Sequence, residues 1–418
     1  MKSYFFEYAL LPEGWSQGVR VVVAGSRYVA VDVNQEPQSE DVSKKVVIPA
    51  MPNAHSHVFQ RAMAGLSEYK TKDNDSFWSW RDLMYRLANK ISADELYELA
   101  KGVYQNMLDA GYSAVCEFHY VHRDLENSAD TLKMSKAVMQ AAHDVGLPMT
   151  MLPVLYAFSA VGDAPLNPEQ KRFELTADEY IQLSKELNCV KFPEQRVGIC
   201  FHSIRAVNKK MMEQVLSALP KDAPVHIHIA EQQAEIDQST DFHGKRPVQW
   251  LYDNFDVDGR WSLVHATHLD EAEKSLIAAS KAVVVLCPLT EANLGDGIFD
   301  MPSFISQQGV WAIGSDSHIE LNPAEELKML EYSQRLAQQQ RNVCCDEEQP
   351  HVATWMWLKS VDGGSQASGL NTNGIKVGEQ AHVISLDGQS GVVGAANHES
   401  ILDAYVFSDH VIHESLLL

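Results

Sequence analysis

Short apolar runs alternate with amphipathic stretches from residue 46 to about residue 340, and this order restricts the folds that the chain can adopt. Alternating strand and helix patterns are typical of a parallel sheet covered by helices. The candidate strands are Val46–Met51, Ser113–Phe118, Met149–Leu155, Arg196–Phe201, Val225–Ile229, Ser262–Val264, Ala282–Cys287 and Val310–Gly314. Eight strands in this order are the number that closes a (β/α)8 barrel, so we predict an α/β protein with a TIM-like barrel.

Helix signals fill the segments between these strands. Amphipathic patterns cover Ala93–Asp109, Ala129–Val145, Ala177–Leu187, Lys209–Leu219 and Glu271–Ala279. Two of these helices begin with a capping box, in which a hydroxyl and a carboxylate satisfy free amides of the first turn. The pairs are Ser92 with Glu95 and Thr176 with Glu179. The alternative fold is an open doubly wound sheet, but the glycine-rich phosphate loop of that fold does not follow the first strand.

The two ends of the chain differ from its middle. Strand-like runs there are Arg20–Ala24, Tyr28–Val31, Gly374–Gly378, His382–Leu386 and Ala404–Phe407, and neither end shows helical periodicity. We therefore predict a small β-sandwich domain built from both termini, residues 1–48 and 366–418. The barrel is expected to span residues 49–365.

The charge balance restricts the partners of the chain. Its 418 residues carry a formal net charge of -22, which argues against a nucleic-acid partner. An anionic substrate would need arginines close to its site to overcome this field. No run reaches the roughly 18 apolar residues of a membrane span, so we expect no membrane contact. We predict a homodimer because that is the commonest assembly.

The N-terminal segment and the cysteines bear on location. Glu7 lies where a signal peptide would need an unbroken apolar stretch, so secretion is not expected. The six cysteines are scattered without Cys-x-x-Cys spacing, and in such a long chain they are interpreted as buried thiols. Both observations predict a cytoplasmic protein.

Polar residues follow several predicted strands, at the end where barrel enzymes build their sites. His55 and His57 follow the first strand, and side chains at i and i+2 of an extended segment point to the same side. His228 lies in the fifth strand and Asp316 follows the eighth. Three histidines and one carboxylate suit a divalent ion and leave a position for water. We predict that these four residues bind one divalent metal ion, although the same ligands also accept iron or manganese.

Two further groups near this ligand set can move protons. Glu231 follows His228 by three residues, and His265 follows the sixth strand. We expect hydrolytic release of ammonia, in which Asp316 accepts a proton from the attacking water, His265 orients the nucleophile and Glu231 protonates the leaving nitrogen. The alternative for Glu231 is a solvated acid at a helix start. The alternative for each histidine is a hydrogen-bonded strand-end residue without catalytic role.

The motifs that contain these residues resemble those of the amidohydrolase superfamily, in its mononuclear deaminase branch. These motifs are Pro52–His57, His228 with Glu231, His265 and Gly314–Ser317. Four segments are similar to enzymes of histidine degradation that hydrolyse a linear amidine carrying two carboxylates. They are Asn53–Arg61, Phe118–His122, Phe201–Arg205 and Pro288–Gly297. The resemblance runs over nearly the whole chain, and it implies zinc as the metal.

The same resemblance implies a set of substrate contacts. They are Gln60, Arg81, Tyr120, His202 and Arg205. A small dicarboxylate substrate agrees with this set, because arginine pairs bidentately with carboxylates. The alternatives are a surface salt bridge for Arg205 and, for Arg81, a pairing with Asp82 or a place in a helix.

Two other functions stay open at this point. One is a deaminase of the same branch that acts on a heterocycle such as guanine, a pterin or an adenosine-like base. Such rings would favour stacking aromatic side chains over two arginines. The other is a barrel scaffold without catalysis, which the complete ligand set disfavours.

Overall fold

The computed structural model describes residues 1–68, 77–387, 398–408 and 412–418, and these ranges contain fifteen strands. The strands are β1 (Lys2–Leu11), β2 (Gly14–Ala24), β3 (Arg27–Asp32), β4 (Val42–Pro49), β5 (Met51–Ser56), β6 (Tyr112–His119), β7 (Met149–Leu155), β8 (Gln195–Val197), β9 (Ile199–Phe201), β10 (Val225–Ile229), β11 (Trp261–His265), β12 (Val283–Leu286), β13 (Val310–Ile313), β14 (His382–Asp387) and β15 (Ile412–Leu417).

Helices connect most of the strands. They are α1 (Phe77–Ala88), α2 (Ala93–Ala110), α3 (Lys133–Val145), α4 (Ala177–Val190), α5 (Lys209–Ala218), α6 (Gln233–His243), α7 (Pro247–Asn254), α8 (Glu271–Ser280), α9 (Pro288–Leu294), α10 (Met301–Ser306), α11 (Pro323–Gln338), α12 (Val352–Ser368) and α13 (His398–Ser408), with 3-10 helices at Val58–Met63 and Pro168–Phe173. Both predicted capping boxes are present, at the starts of α2 and α4.

The predicted barrel is confirmed. Eight parallel strands follow one another in the order β5-β6-β7-β9-β10-β11-β12-β13, and the short β8 pairs with β7. These strands are buried along almost their whole length, because helices cover the outer face and side chains fill the interior. The carboxyl ends of all eight strands therefore meet at one rim.

The barrel closes between β13 and β5 through a short contact instead of a regular ladder. Ser56 forms an isolated parallel bridge with Asp316. The Ser315 amide donates to the His55 carbonyl at 3.0 Å, and the His57 amide donates to the Asp316 carbonyl at 3.0 Å. This closure brings the first and last strand ends together at the rim.

A second sheet confirms the predicted β domain built from both termini. Its six strands follow the order β15-β14-β4-β1-β2-β3. Its own apolar cluster includes Phe6, Val21, Val47 and Val383. The division into residues 1–48 with 366–418 and residues 49–365 stays our proposal for the domain boundaries.

The first barrel strand was placed wrongly from the sequence. The apolar run Val46–Met51 is divided, because Val46 and Val47 pair with β1 in the terminal sheet, whereas Met51 begins β5. The first strand of the barrel is thus the polar-looking segment Met51–Ser56, all of it buried. His55 lies inside this strand.

Two expectations for the C-terminal part were also wrong. Ala404–Phe407 belongs to α13, where the buried Ile401, Leu402, Tyr405 and Val406 recur at helical spacing. Gly374–Gly378 forms turns, because both glycines have positive φ, at +79° and +92°.

Membrane spans and disulfides can be checked directly. None of the helices in the described part of the chain combines the length and apolar character needed to cross a bilayer. All six cysteines are free thiols. Four of them are buried, whereas Cys189 is exposed and Cys345 is partly exposed, so the prediction of buried thiols was wrong for these two.

Candidate metal centre and active site

Four side chains converge on one point at the rim of the barrel. The Nε2 atoms of His55, His57 and His228 lie 3.1, 3.2 and 3.3 Å apart in pairs. Asp316 Oδ1 lies 3.3 Å from His55 Nε2 and 3.4 Å from His57 Nε2. Ligand atoms placed tetrahedrally at about 2.0–2.1 Å from a zinc ion would be about 3.3–3.4 Å apart. The spacing of the four donor atoms therefore fits one small divalent cation.

The tautomers of two histidines support the same conclusion. His57 Nδ1 donates to the Phe118 carbonyl at 2.8 Å, and His228 Nδ1 donates to the His202 carbonyl at 3.0 Å. Each ring therefore turns an Nε2 lone pair toward the common point. Burial lowers the pKa of His57 to about 3 and the pKa of His228 well below its usual value. Both rings are neutral, which is the form that binds metals.

A buried hydrogen-bond chain holds the closure of the barrel behind these ligands. Asn53 Nδ2 donates to Ser315 Oγ at 2.6 Å, and Ser315 Oγ contacts His318 Nδ1 at 2.9 Å. His318 Nε2 contacts Ser56 Oγ at 3.0 Å, and Ser56 Oγ donates to Glu117 Oε2 at 2.5 Å. Each group in this chain can donate a hydrogen bond to the next, from the amide of Asn53 at one end to the carboxylate of Glu117 at the other.

Glu117 also contacts the chain beyond the second histidine. Its Oε1 accepts from the Val58 amide at 2.8 Å. The carboxylate thus binds the residues on both sides of His57, Ser56 through a side chain and Val58 through its backbone. This clamp explains how a polar segment is held as the first barrel strand.

The acid–base residues predicted from the sequence lie beside the four metal-type ligands. His265 Nε2 is 3.9 Å from Glu231 Oε1 and 4.0 Å from Asp316 Oδ2. Burial raises the pKa of the Glu231 carboxyl. Burial lowers the pKa of His265, but Glu231, Glu291 and Asp316 outweigh it and raise that pKa to about 10. Glu231, His265 and Asp316 therefore form one buried cluster whose members can hold protons and pass them to one another.

Backbone conformation at this rim is strained. His265 has φ +67° and Asp316 has φ +41°, although neither is glycine. A side chain in this region carries a conformational cost that the surrounding structure must compensate, and such residues cluster at functional sites. The strain turns both side chains toward the common point.

A cavity opens above the cluster. All five substrate contacts implied by the resemblance line it, namely Gln60, Arg81, Tyr120, His202 and Arg205. His57, His228, Glu231, His265 and Asp316 form its floor or walls. The structure thus brings the predicted site residues into one pocket, with His55 buried directly beneath it.

The cationic side chains of the pocket are close enough to influence each other. Burial lowers the pKa of Arg81, and the nearby charge of Arg205 lowers it further. The Arg81 guanidinium lies 5.5 Å from the centre of the Tyr85 ring. Two guanidinium groups in one pocket of a strongly acidic chain indicate a ligand with negative charge.

Several residues of the site were missed in the sequence. The Phe118 ring packs at 5.0, 5.0 and 4.2 Å from the rings of His55, His57 and His228. Tyr156 and Phe173 line the cavity. Tyr156 directly follows β7, so the strand-end rule could have found it, whereas Phe173 ends a 3-10 helix and carried no local signal.

One strand-end histidine lies outside the cavity lining. His119 ends β6, but its ring packs against His122 at 5.7 Å between ring centres. The neighbouring Tyr120 points into the cavity. His226 Nε2 donates to the Ala367 carbonyl at 2.9 Å.

The fold and the site define a class of protein. The profile of the Amidohydrolase family matches residues 46–409, and the chain belongs to this family. Formimidoylglutamate deiminase of Pseudomonas aeruginosa is 43% identical over 98% of this chain and 91% of that protein.

Solved structures agree with this assignment. An amidohydrolase from Brucella melitensis has a TM-score of 0.93 and 37% identity, over 99% of this chain and 92% of that one. An adenosine deaminase from Xanthomonas campestris with bound zinc has a TM-score of 0.80 at 21% identity, over 98% and 90% of the chains, and it shares the fold.

Proposed function

We propose that this protein hydrolyses N-formimidoyl-L-glutamate to N-formyl-L-glutamate and ammonia, with one zinc ion at the metal centre. The observation that carries the proposal is a single cavity whose lining combines two guanidinium groups, an acid–base cluster and three metal-type ligands, with the fourth ligand, His55, in contact with those three. The 43% identity to the Pseudomonas deiminase, over nearly the full length of both chains, supports the substrate.

The four residues His55, His57, His228 and Asp316 would hold the ion. A zinc ion in such a site acts as a Lewis acid and makes water a nucleophile near neutral pH. Its ligands here are neutral imidazoles and one carboxylate whose pKa is held below its usual range, because the neighbouring histidines outweigh the effect of burial.

The chain's own groups account for the proton transfers. Asp316 takes one proton from the attacking water, and His265 orients the oxygen through Nε2. The new C–O bond forms at the amidine carbon, and Glu231 delivers a proton to the terminal nitrogen. The C–N bond then breaks as Asp316 returns its proton to that nitrogen and Glu231 takes the hydroxyl proton, so that ammonia leaves and the formyl group remains on glutamate. Burial, by raising the pKa of Glu231, keeps its carboxyl a usable proton donor.

The two guanidinium groups would bind the two carboxylates of the substrate. Arg205 lies four residues beyond β9, Arg81 comes from α1, and both line the cavity. Gln60 Nε2 donates to the Tyr120 hydroxyl at 2.8 Å, which fixes both side chains at the wall. Holding both ends of a flexible dicarboxylate would place its amidine carbon over the metal centre.

A heterocycle deaminase is the alternative that the assay must separate. Three aromatic side chains of the cavity contact one another edge-on or at a tilt: Tyr120 meets Phe173 at 89° and Tyr156 meets Phe173 at 58°. This arrangement offers no parallel pair of these rings for a planar base. The two guanidinium groups match a dianion better.

Ammonia release tests the substrate. The purified protein would be assayed with N-formimidoyl-L-glutamate, with formimidoylglycine, which has one carboxylate, and with guanine, adenosine and 5′-methylthioadenosine. We expect turnover of the dicarboxylate and a loss of at least tenfold in kcat/KM for the glycine analogue. Turnover of a heterocycle alone would disprove the substrate.

Variants of the two arginines test the binding mode. Arg205→Ala and Arg81→Ala each remove charge-assisted hydrogen bonds worth about 1.5–3 kcal/mol, so kcat/KM should fall by about 10- to 150-fold, mainly through KM. Arg260→Ala is the control, because its guanidinium bonds Asp258 away from the cavity. Kinetics of Arg205→Ala equal to those of the control would remove Arg205 from the site.

The identity of the metal and the assembly need separate measurements. Removal of metal by a chelator should abolish activity, and re-addition of zinc should restore it better than iron or manganese does. We also propose a homodimer, which light scattering on the eluting protein can test. A cytoplasmic location stays a prediction from the sequence.

A further inference from the structure

His265 makes different contacts through its two ring nitrogens. Nε2 faces the cavity, 3.9 Å from Glu231 Oε1 and 4.0 Å from Asp316 Oδ2. Nδ1 lies 3.3 Å from Glu291 Oε1, on the side away from these groups. Because a carboxylate only accepts, Nδ1 must carry the proton of this hydrogen bond.

Glu291 is itself fixed. It lies on α9, it is 6% exposed, and the same Oε1 accepts from the Cys287 amide at 2.8 Å. Cys287 directly follows β12, and His265 ends β11. One carboxylate oxygen thus joins the ends of two adjacent barrel strands, and it holds the ring of His265 against a backbone that is strained at φ +67°.

We propose that Glu291 is a positioning residue for the hydrolytic reaction, which holds the ring of His265 in the orientation that presents Nε2 to the reacting centre. This inference rests on the proposed function. Without the carboxylate, Nδ1 would lose its hydrogen-bond acceptor and the ring could turn about its χ2 bond. A nitrogen that must orient the attacking oxygen would then be correctly placed for only part of the time.

A merely structural role for Glu291 is the competing explanation, because its bond to the Cys287 amide resembles a helix cap. The chain offers a matched control for this. Glu326 is fully buried, and its Oε2 accepts from the Leu289 amide at 2.9 Å. It therefore supports the start of the same helix α9. In the described hydrogen bonds it has no link to His265.

The kinetic test compares Glu291→Ala, Glu291→Gln and Glu326→Gln with the wild-type enzyme at saturating metal. Loss of a partner that orients a catalytic histidine costs about 10- to 100-fold in activity. We expect this fall in kcat for Glu291→Ala, with KM within about twofold. Glu291→Gln should fall less, because its amide oxygen can still accept from Nδ1. Glu326→Gln should keep kcat within about twofold.

A double-mutant cycle shows whether Glu291 acts through His265. On a His265→Ala background, Glu291→Ala should cause no further fall in kcat. A fall of equal size on both backgrounds would overturn the inference, as would wild-type kinetics for Glu291→Ala. If Glu291→Ala fails to fold, Glu291→Gln takes its place in the cycle.

A measurement without turnover keeps the inference separate from the proposed function. NMR of protein with 15N-labelled histidine detects a ring N–H proton that is shifted and exchanges slowly because it is hydrogen-bonded, and His265→Ala identifies the His265 signals by their disappearance. We expect such an Nδ1–H signal in the wild type and its loss in Glu291→Ala. An unchanged Nδ1–H signal in Glu291→Ala would overturn the inference, whereas absence of formimidoylglutamate turnover by the wild type would overturn only the substrate.

Discussion

Replacing Glu117 by glutamine should weaken metal binding although Glu117 binds no metal. Its carboxylate accepts from Ser56 Oγ at 2.5 Å and from the Val58 amide at 2.8 Å, the residues on either side of His57. Glutamine has the same shape but only one acceptor oxygen. Its NH2 group must therefore face one of the two donors.

The size of the effect follows from this mismatch. A buried donor left without an acceptor costs about 1–3 kcal/mol, so the free energy of unfolding should fall by that amount. Partners that orient metal ligands typically contribute 10- to 100-fold in metal affinity, which is about 1.4–2.8 kcal/mol. The two estimates agree in size. We expect zinc affinity to drop by 10- to 100-fold, while kcat at saturating zinc changes little.

The assay is a zinc titration against a competing chelator, together with urea unfolding of the metal-free protein. Glu331→Gln is the control. Glu331 is also fully buried and accepts from two backbone amides, those of Val343 and Cys344, but in a region remote from the cavity. Glu331→Gln should lose stability and keep its zinc affinity. If Glu117→Gln binds zinc as tightly as Glu331→Gln does, the clamp is refuted.

Two further predictions concern packing and metal content. Gly363→Ala should lower the free energy of unfolding in urea by about 1–3 kcal/mol, because its new Cβ would overlap the Trp311 carbonyl oxygen where α12 packs on β13. The control Gly102→Ala, with no atom within 4 Å of its Cβ, should leave that free energy unchanged or raise it by up to about 1 kcal/mol. Equal stability of the two variants would contradict this packing. Asp316→Ala should lose the bound ion in metal analysis and should lose activity in the ammonia assay. The control is Asp403→Ala, which should keep both, because the Asp403 carboxylate bonds His351 away from the cavity. Retention of activity by Asp316→Ala would exclude Asp316 as metal ligand and as base.

Much of the site could be predicted because barrels place function by topology. His228, His265 and Asp316 lie near the ends of strands in the chain, and parallel strands in a closed barrel bring all their carboxyl ends to one rim. The positions of these residues along the chain therefore predicted that their side chains meet at one rim of the folded barrel. His55 and His57 were found in the same way, even though their strand was placed several residues too early.

The supporting residues could not be found by such a rule. Glu117 lies within β6, where its carboxylate resembles any polar interruption of an apolar run, and its partners are about 60 positions away in the chain. Phe173 reaches the cavity from a 3-10 helix. Glu291 lies on a helix whose start could equally have pointed its side chain to solvent.

The alternation of strands and helices, the strand-end histidines and the acidic charge belong to the sequence itself, because periodicity and strand direction are local properties of the chain. The tertiary structure decided which polar groups face one another. Closure of the barrel between β13 and β5 brings Asp316 to His55 and His57, although about 260 positions separate them in the chain. Long-range closure also decided that Glu291 supports His265 and that Glu117 clamps the chain around His57. His57 Nε2 and Asp316 Oδ1 lie 3.4 Å apart only because several strands are in register at once, and no single segment of sequence contains that information.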